Sequence, residues 1–127
     1  MLKLEQKEIV GISALLIHAA KIDEIYSEHE KNLVKNFIKS YLEKENINEI
    51  LRKAEEIEKN SNQLLSFTNI IKKNSMDVKK DIIEHLWKVI ISDNTVDQYE
   101  SNLMRRICGL IYFPDKECAE IKLKLIN

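Results

Sequence analysis

Apolar residues along this chain recur at helical spacing rather than strand spacing. Between about Leu4 and Lys21, Ile9, Ile12, Leu16, Ala19 and Ala20 share one face at i, i+3, i+7 intervals, which predicts a helix with a buried stripe. A second helix is expected from about Glu28 to Leu42, with Leu33, Val34, Phe37, Ile38 and Tyr41 inward. A third, near Ile47 to Lys59, carries Ile47, Ile50, Leu51, Ala54 and Ile57; its other face is dense in Glu and Lys, as in a surface helix. Asn60-Ser61-Asn62 breaks the pattern and offers caps to a fourth helix, about Gln63 to Lys73, bearing Leu64, Leu65, Phe67, Ile70 and Ile71.

Asn74-Ser75 ends that helix. A fifth follows from about Asp77 to Ile91, with Val78, Ile82, Leu86, Val89 and Ile90. A sixth, about Gln98 to Tyr112, buries Leu103, Ile107, Leu110 and Ile111. Phe113-Pro114-Asp115 stops it, and a short last helix carries Cys118, Ile121 and Leu125. The pattern predicts an all-α fold of about seven helices. No linker or composition shift divides it, so a compact single domain over 1–127 is expected.

Composition supports this picture. Among 127 residues there are only two Gly and one Pro, too few for the tight turns of an all-β fold. The 20 Lys+Arg against 21 Asp+Glu leave a net charge of -1, without the basic surplus that displaces counterions from phosphates. Nucleic acid is therefore not an expected partner. Lys72–Lys73 and Lys79–Lys80 alternate with acids and read as solvated faces. The uncharged run from Ile9 to Ala20 is about twelve residues, too short to span a bilayer. Met1-Leu2-Lys3-Leu4-Glu5 lacks a signal-peptide pattern, and two cysteines make no disulfide scaffold, so a cytoplasmic location is expected.

One feature carries more information. When Asp23 is set on Asp93, the run Asp23-Glu24-Ile25-Tyr26-Ser27-Glu28-His29-Glu30 falls on Asp93-Asn94-Thr95-Val96-Asp97-Gln98-Tyr99-Glu100. Leu16 then falls on Leu86, Ala20 on Ile90, Leu33 on Leu103, Val34 on Met104 and Phe37 on Ile107. Two helix–acidic turn–helix units, about 4–60 and 76–127, are expected to form a pseudo-twofold internal duplication.

The turns admit two readings. Ser27-x-x-Glu30 and Asp97-x-x-Glu100 have the form of capping boxes, and Asp23 and Asp93 can close Asx-turns, so the acids could serve only to fold the corners. Alternatively, Asp93, Asp97 and Glu100 offer three carboxylates to a hard cation, Ca²⁺ or Mg²⁺. Asp23 and Glu30 are the weaker equivalents. The acidic spacing and glycine of an EF-hand loop are absent, and no cofactor motif is present.

The second unit, Leu86-Trp87-Lys88 through Asp93-x-x-x-Asp97-x-x-Glu100-x-x-Leu103-x-Arg105-Arg106-Ile107, resembles the TerB-like tellurite-resistance family. The ending Phe113-Pro114-Asp115 fits as well, and the resemblance covers nearly the whole chain. It is similar too to the N-terminal domain of membrane-anchored DnaJ-like co-chaperones. The resemblance implies two central helices and a non-enzymatic module of tellurite or stress response. It also implies an acidic surface, here Asp23, Glu28, Glu30, Asp93, Asp97 and Glu100, that binds partner proteins or a divalent metal at the inner-membrane periphery. The family usually has Gly after the turn Asp, where this chain has Glu24 and Asn94. Asn accepts the left-handed conformation and Glu does so at roughly 1 kcal/mol. The second turn is thus the better placed to bind.

Other reactive residues read as structural. His18, His29 and His85 lack a His or Cys partner at zinc-site spacing. Cys108 lies on a buried stripe as a small hydrophobe, Cys118 falls near a helix start that would lower its pKa, and Trp87 reads as core.

Overall fold

The computed structural model describes residues 4–21, 26–42, 47–61, 64–91 and 98–126, the side chains of 98–100 excepted. Within them seven helices follow in order: α1 (Gln6–Ala20), α2 (Glu28–Tyr41), α3 (Ile47–Asn60), α4 (Leu65–Lys72), α5 (Met76–Ile91), α6 (Gln98–Leu110) and α7 (Asp115–Ile126). No strand occurs among the described residues, so the all-α expectation holds.

Two helices occupy the centre. Every residue of α1 from Ile9 to Ile17 is buried, because α2, α3, α4 and α5 pack around it. A helix apolar on all sides must be enclosed on all sides. Ser13 shares that interior, and its hydroxyl finds no hydrogen-bond partner. α5 is the second central element, touching α1, α2, α4 and α7 through Val78, Ile82, Ile83, Leu86, Trp87, Val89 and Ile90. One continuous apolar cluster joins these helices, with Phe37, Ile71, Met104 and Ile107 filling it from the sides.

The helix bounds depart from expectation chiefly at α4, which starts at Leu65, and at α7, which runs twelve residues. Three side chains also differ. Ile57 and Leu65, expected on buried stripes, are 43% and 48% exposed, because α3 and α4 each cover only part of α1's flank. Lys79, expected in solvent, is 7% exposed. It stands beside Val78 on the inward stripe of α5, where a long aliphatic stem can lie against apolar neighbours.

A Schellman turn closes α6. The Phe113 N–H donates to the Cys108 carbonyl at 2.8 Å and the Tyr112 N–H to the Gly109 carbonyl at 3.4 Å, with Tyr112 left-handed at φ 59°. Pro114 then precedes α7, which folds back onto α5.

Candidate functional site

The first acidic corner is a working capping box. Ser27 is extended (φ −79°, ψ 166°) at the start of α2, and its hydroxyl oxygen accepts the Glu30 N–H at 3.2 Å. In return the Ser27 N–H and hydroxyl donate to Glu30 Oε1 at 2.9 and 3.2 Å. The Glu30 carboxylate is buried in that task. Glu28 is the acid of this corner that faces solvent, 3.9 Å from Lys31 Nζ. Asp23 and Glu24 lie outside the described residues, as do Asp93, Asn94 and Asp97; Glu100 belongs to the first turn of α6, its side chain likewise outside them.

Behind the corner stands a polar network supplied by α3, which periodicity alone did not reveal. Glu58 is nearly buried, accepting from Lys21 Nζ at 2.7 Å and lying 3.3 Å from His18 Nδ1. Tyr26 donates its hydroxyl to Glu55 Oε2 at 3.0 Å, and Lys31 Nζ approaches the same oxygen at 3.8 Å. The Tyr26 ring lies within 5.9 Å of Lys21 Nζ and 5.4 Å of Lys31 Nζ. Burial, then the Glu55 carboxylate, pushes the Tyr26 hydroxyl well above its usual range. These residues tie the end of α1 and the start of α2 to α3. Their chemistry is that of a joint, since each polar group is occupied by another.

A different surface is open. Where α1, α3 and α4 meet, two adjoining depressions of about 520 and 410 Å³ share Val10, Lys53, Ile57 and Ser66. Phe67 and Ile70 continue the apolar lining, and Lys7, Lys53 and Glu56 stand at its margin. Gly11 sits beneath: a Cβ there would run into Ile70 Cδ1, so its lack of a side chain lets α4 lie close. The groove can receive apolar side chains from another molecule. The exposed Ile57 belongs to it, which explains an apolar stripe wider than α3 needs for packing.

Among the described residues no three His, Cys, Asp or Glu side chains group as a metal site; the second-turn acids Asp93, Asp97 and Glu100 are outside that comparison. No described helix is long and apolar enough to cross a membrane. The remaining carboxylate–histidine–tyrosine grouping is half-buried between α2 and α5. Tyr41 donates to Asp81 Oδ2 at 2.6 Å, His85 Nε2 lies 3.7 Å from Asp81 Oδ1, and the His85 ring meets Phe37 edge-on. Burial holds His85 below its ordinary pKa despite the Asp81 carboxylate.

No curated protein and no solved structure matches the chain. The family model described as tellurite resistance protein TerB matches residues 10–123, which takes in all seven helices in whole or in part. The chain therefore belongs to the TerB family.

Proposed function

We propose that this chain is a non-enzymatic TerB-like interaction module of tellurite or stress response, acting in the cytoplasm on partner proteins at the inner-membrane periphery. In this reading 1–127 is one domain whose halves are duplicated units. The observation that carries it is the open groove of α1, α3 and α4, an apolar surface around the exposed Ile57. Surfaces of this kind, rimmed by charge, suit protein partners. The acids supply the electrostatic half of the surface: Glu28 at the first corner, with Asp23, and Asp93, Asp97 and Glu100 at the second. Glu30 takes no part in it, because its carboxylate is committed to Ser27.

Affinity capture from tellurite-stressed cells tests the proposal with Ile57→Glu, Asp93→Ala and Glu100→Ala. Loss of captured partners at an unchanged unfolding midpoint supports it. Full capture by all three variants overturns it.

A second reading rests on the Asp93, Asp97 and Glu100 spacing, which offers oxygen ligands to Ca²⁺ or Mg²⁺ and would make the chain a divalent-cation sensor. Titration of the ¹⁵N-labelled chain with either ion decides it. Shifts confined to residues 93–100 favour the sensor, and an unchanged spectrum at millimolar ion removes it.

A further inference from the structure

After the reversal at Tyr112, α7 returns to lie on α5 and leaves a recess between itself and α6. The recess measures about 380 Å³ and shares no residue with the groove of α1, α3 and α4. Trp87 of α5, Met104 of α6 and Cys118 of α7 form its floor, each almost wholly buried. Ala119, a small exposed residue on the α7 wall, leaves open a space that a longer side chain would fill. Trp87 is fixed in place: its Nε1 donates to the Cys118 carbonyl at 3.0 Å, and Lys122 Nζ lies 5.3 Å from the ring centre.

Two cations line this recess from different helices. Arg105 is exposed on α6 and Lys122 is half-buried on α7. Among the described residues neither has a carboxylate within ion-pair distance. Asp115 is the acid of the recess. It opens α7, where the positive end of the helix dipole already offsets part of its charge. The recess is therefore net basic, on a chain whose overall charge is -1. Ser101, half-buried one turn before Arg105, adds a hydroxyl.

The chemistry of these groups selects a ligand class. A guanidinium presents a planar fork of N–H groups that matches a carboxylate, and an ammonium adds a compact point charge. The apolar floor beneath them would stay uncovered by a bare inorganic ion. The volume is at the small end of ligand cavities, which span about 300–1,000 Å³. We propose that the recess between α6 and α7 binds a small organic carboxylate, with its anionic head between Arg105 and Lys122 and its apolar body against Met104, Cys118 and Trp87. This site stands apart from the docking surfaces proposed above and uses none of their residues.

Trp87 is the chain's single tryptophan and reports on the recess directly. Because Lys122 lies against its ring, an anion that draws on that ammonium changes the field at the indole and so its emission. The full chain is titrated with sodium benzoate at an ionic strength held constant with sodium chloride. A saturable change in Trp87 emission is expected, with a midpoint below about 10 mM. Benzyl alcohol keeps the ring without the charge, and acetate keeps the charge without the ring; each should bind about tenfold more weakly or worse. Arg105→Gln and Lys122→Gln should each weaken benzoate by about tenfold, since each removes a charge-assisted hydrogen bond. Arg106→Gln, also exposed on α6 but outside the recess, should leave the midpoint unchanged. In ¹⁵N spectra the saturable shifts should centre on residues 101–105 and 115–122. No saturable response to benzoate below about 10 mM overturns the assignment. So do equal binding of benzyl alcohol or acetate, unchanged midpoints in both recess variants, or shifts centred on another surface. All but the variant result come from the unsubstituted protein, so they stand even where a variant fails to fold.

Discussion

The joint behind the first acidic corner can be tested by a double-mutant cycle on Lys21 and Glu58. Their contact is short, Nζ to Oε1 2.7 Å, but unequally wet: the Glu58 side chain is 10% exposed and that of Lys21 is 39%. A hydrogen bond between charged groups contributes about 1.5–3 kcal/mol when both are withdrawn from water. Lys21 is exposed enough to be rehydrated when its partner is lost, which discounts the figure to about 1 kcal/mol of coupling. Glu58→Ala alone should cost more, about 2 kcal/mol, because His18 loses its neighbour at 3.3 Å as well. Urea unfolding of the four proteins, followed by Trp87 fluorescence, gives the coupling directly. Because Glu58 is nearly buried, salt should reduce it only in part. Substitutions that add within about 0.3 kcal/mol would refute the reasoning. They would make Glu58 a residue buried for its stem and not for its charge.

Four further outcomes follow from the same geometry. Ser27→Ala removes the cap of α2 and should lower stability by about 1 kcal/mol in chemical denaturation, the structural share of the acidic corner. Ser13→Ala removes a buried hydroxyl without a hydrogen-bond partner and should raise stability by about 1 kcal/mol; a loss would mean that the hydroxyl is satisfied. Gly109→Ala meets nothing within 4 Å and should stabilise α6 by up to about 1 kcal/mol, whereas Gly11→Ala must displace Ile70 and should gain less. His85 is held below its ordinary pKa by burial, so below about pH 6.5 the unfolded chain takes up a proton that the folded chain refuses. Stability should therefore fall as pH drops from about 7 to 5, and His85→Gln should flatten that slope in urea titrations across the range.

Much of the fold was legible because a helix writes its period into the chain. α2, α3 and α5 begin or end within a residue of where their apolar stripes and polar breaks place them. Ser27-x-x-Glu30 announced its capping box for the same reason, since the motif is local. What stayed hidden depends on contacts between segments far apart in sequence. Nothing in the spacing of α3 marks Glu58 as the acceptor for Lys21 and His18, or Glu55 as the partner of Tyr26. Periodicity likewise assigns Ile57 to the core. Only the placement of α4 against α1, made close by Gly11, leaves that side chain open in a groove. The end of α6 shows the limit in the other direction. The chain reversal at Tyr112 needs a left-handed residue, for which Tyr gives no signal.

Hydrogen exchange read by mass spectrometry, on the chain alone and bound to a partner captured through it, tests the central claim most directly. A module that docks through its groove and its second acidic turn should gain protection in α3, in α4 and across residues 93–100. At the first corner the Ser27 and Glu30 amides are already engaged in the capping box, so docking against Glu28 and Asp23 should add little protection there. Protection confined to α7 would contradict the account.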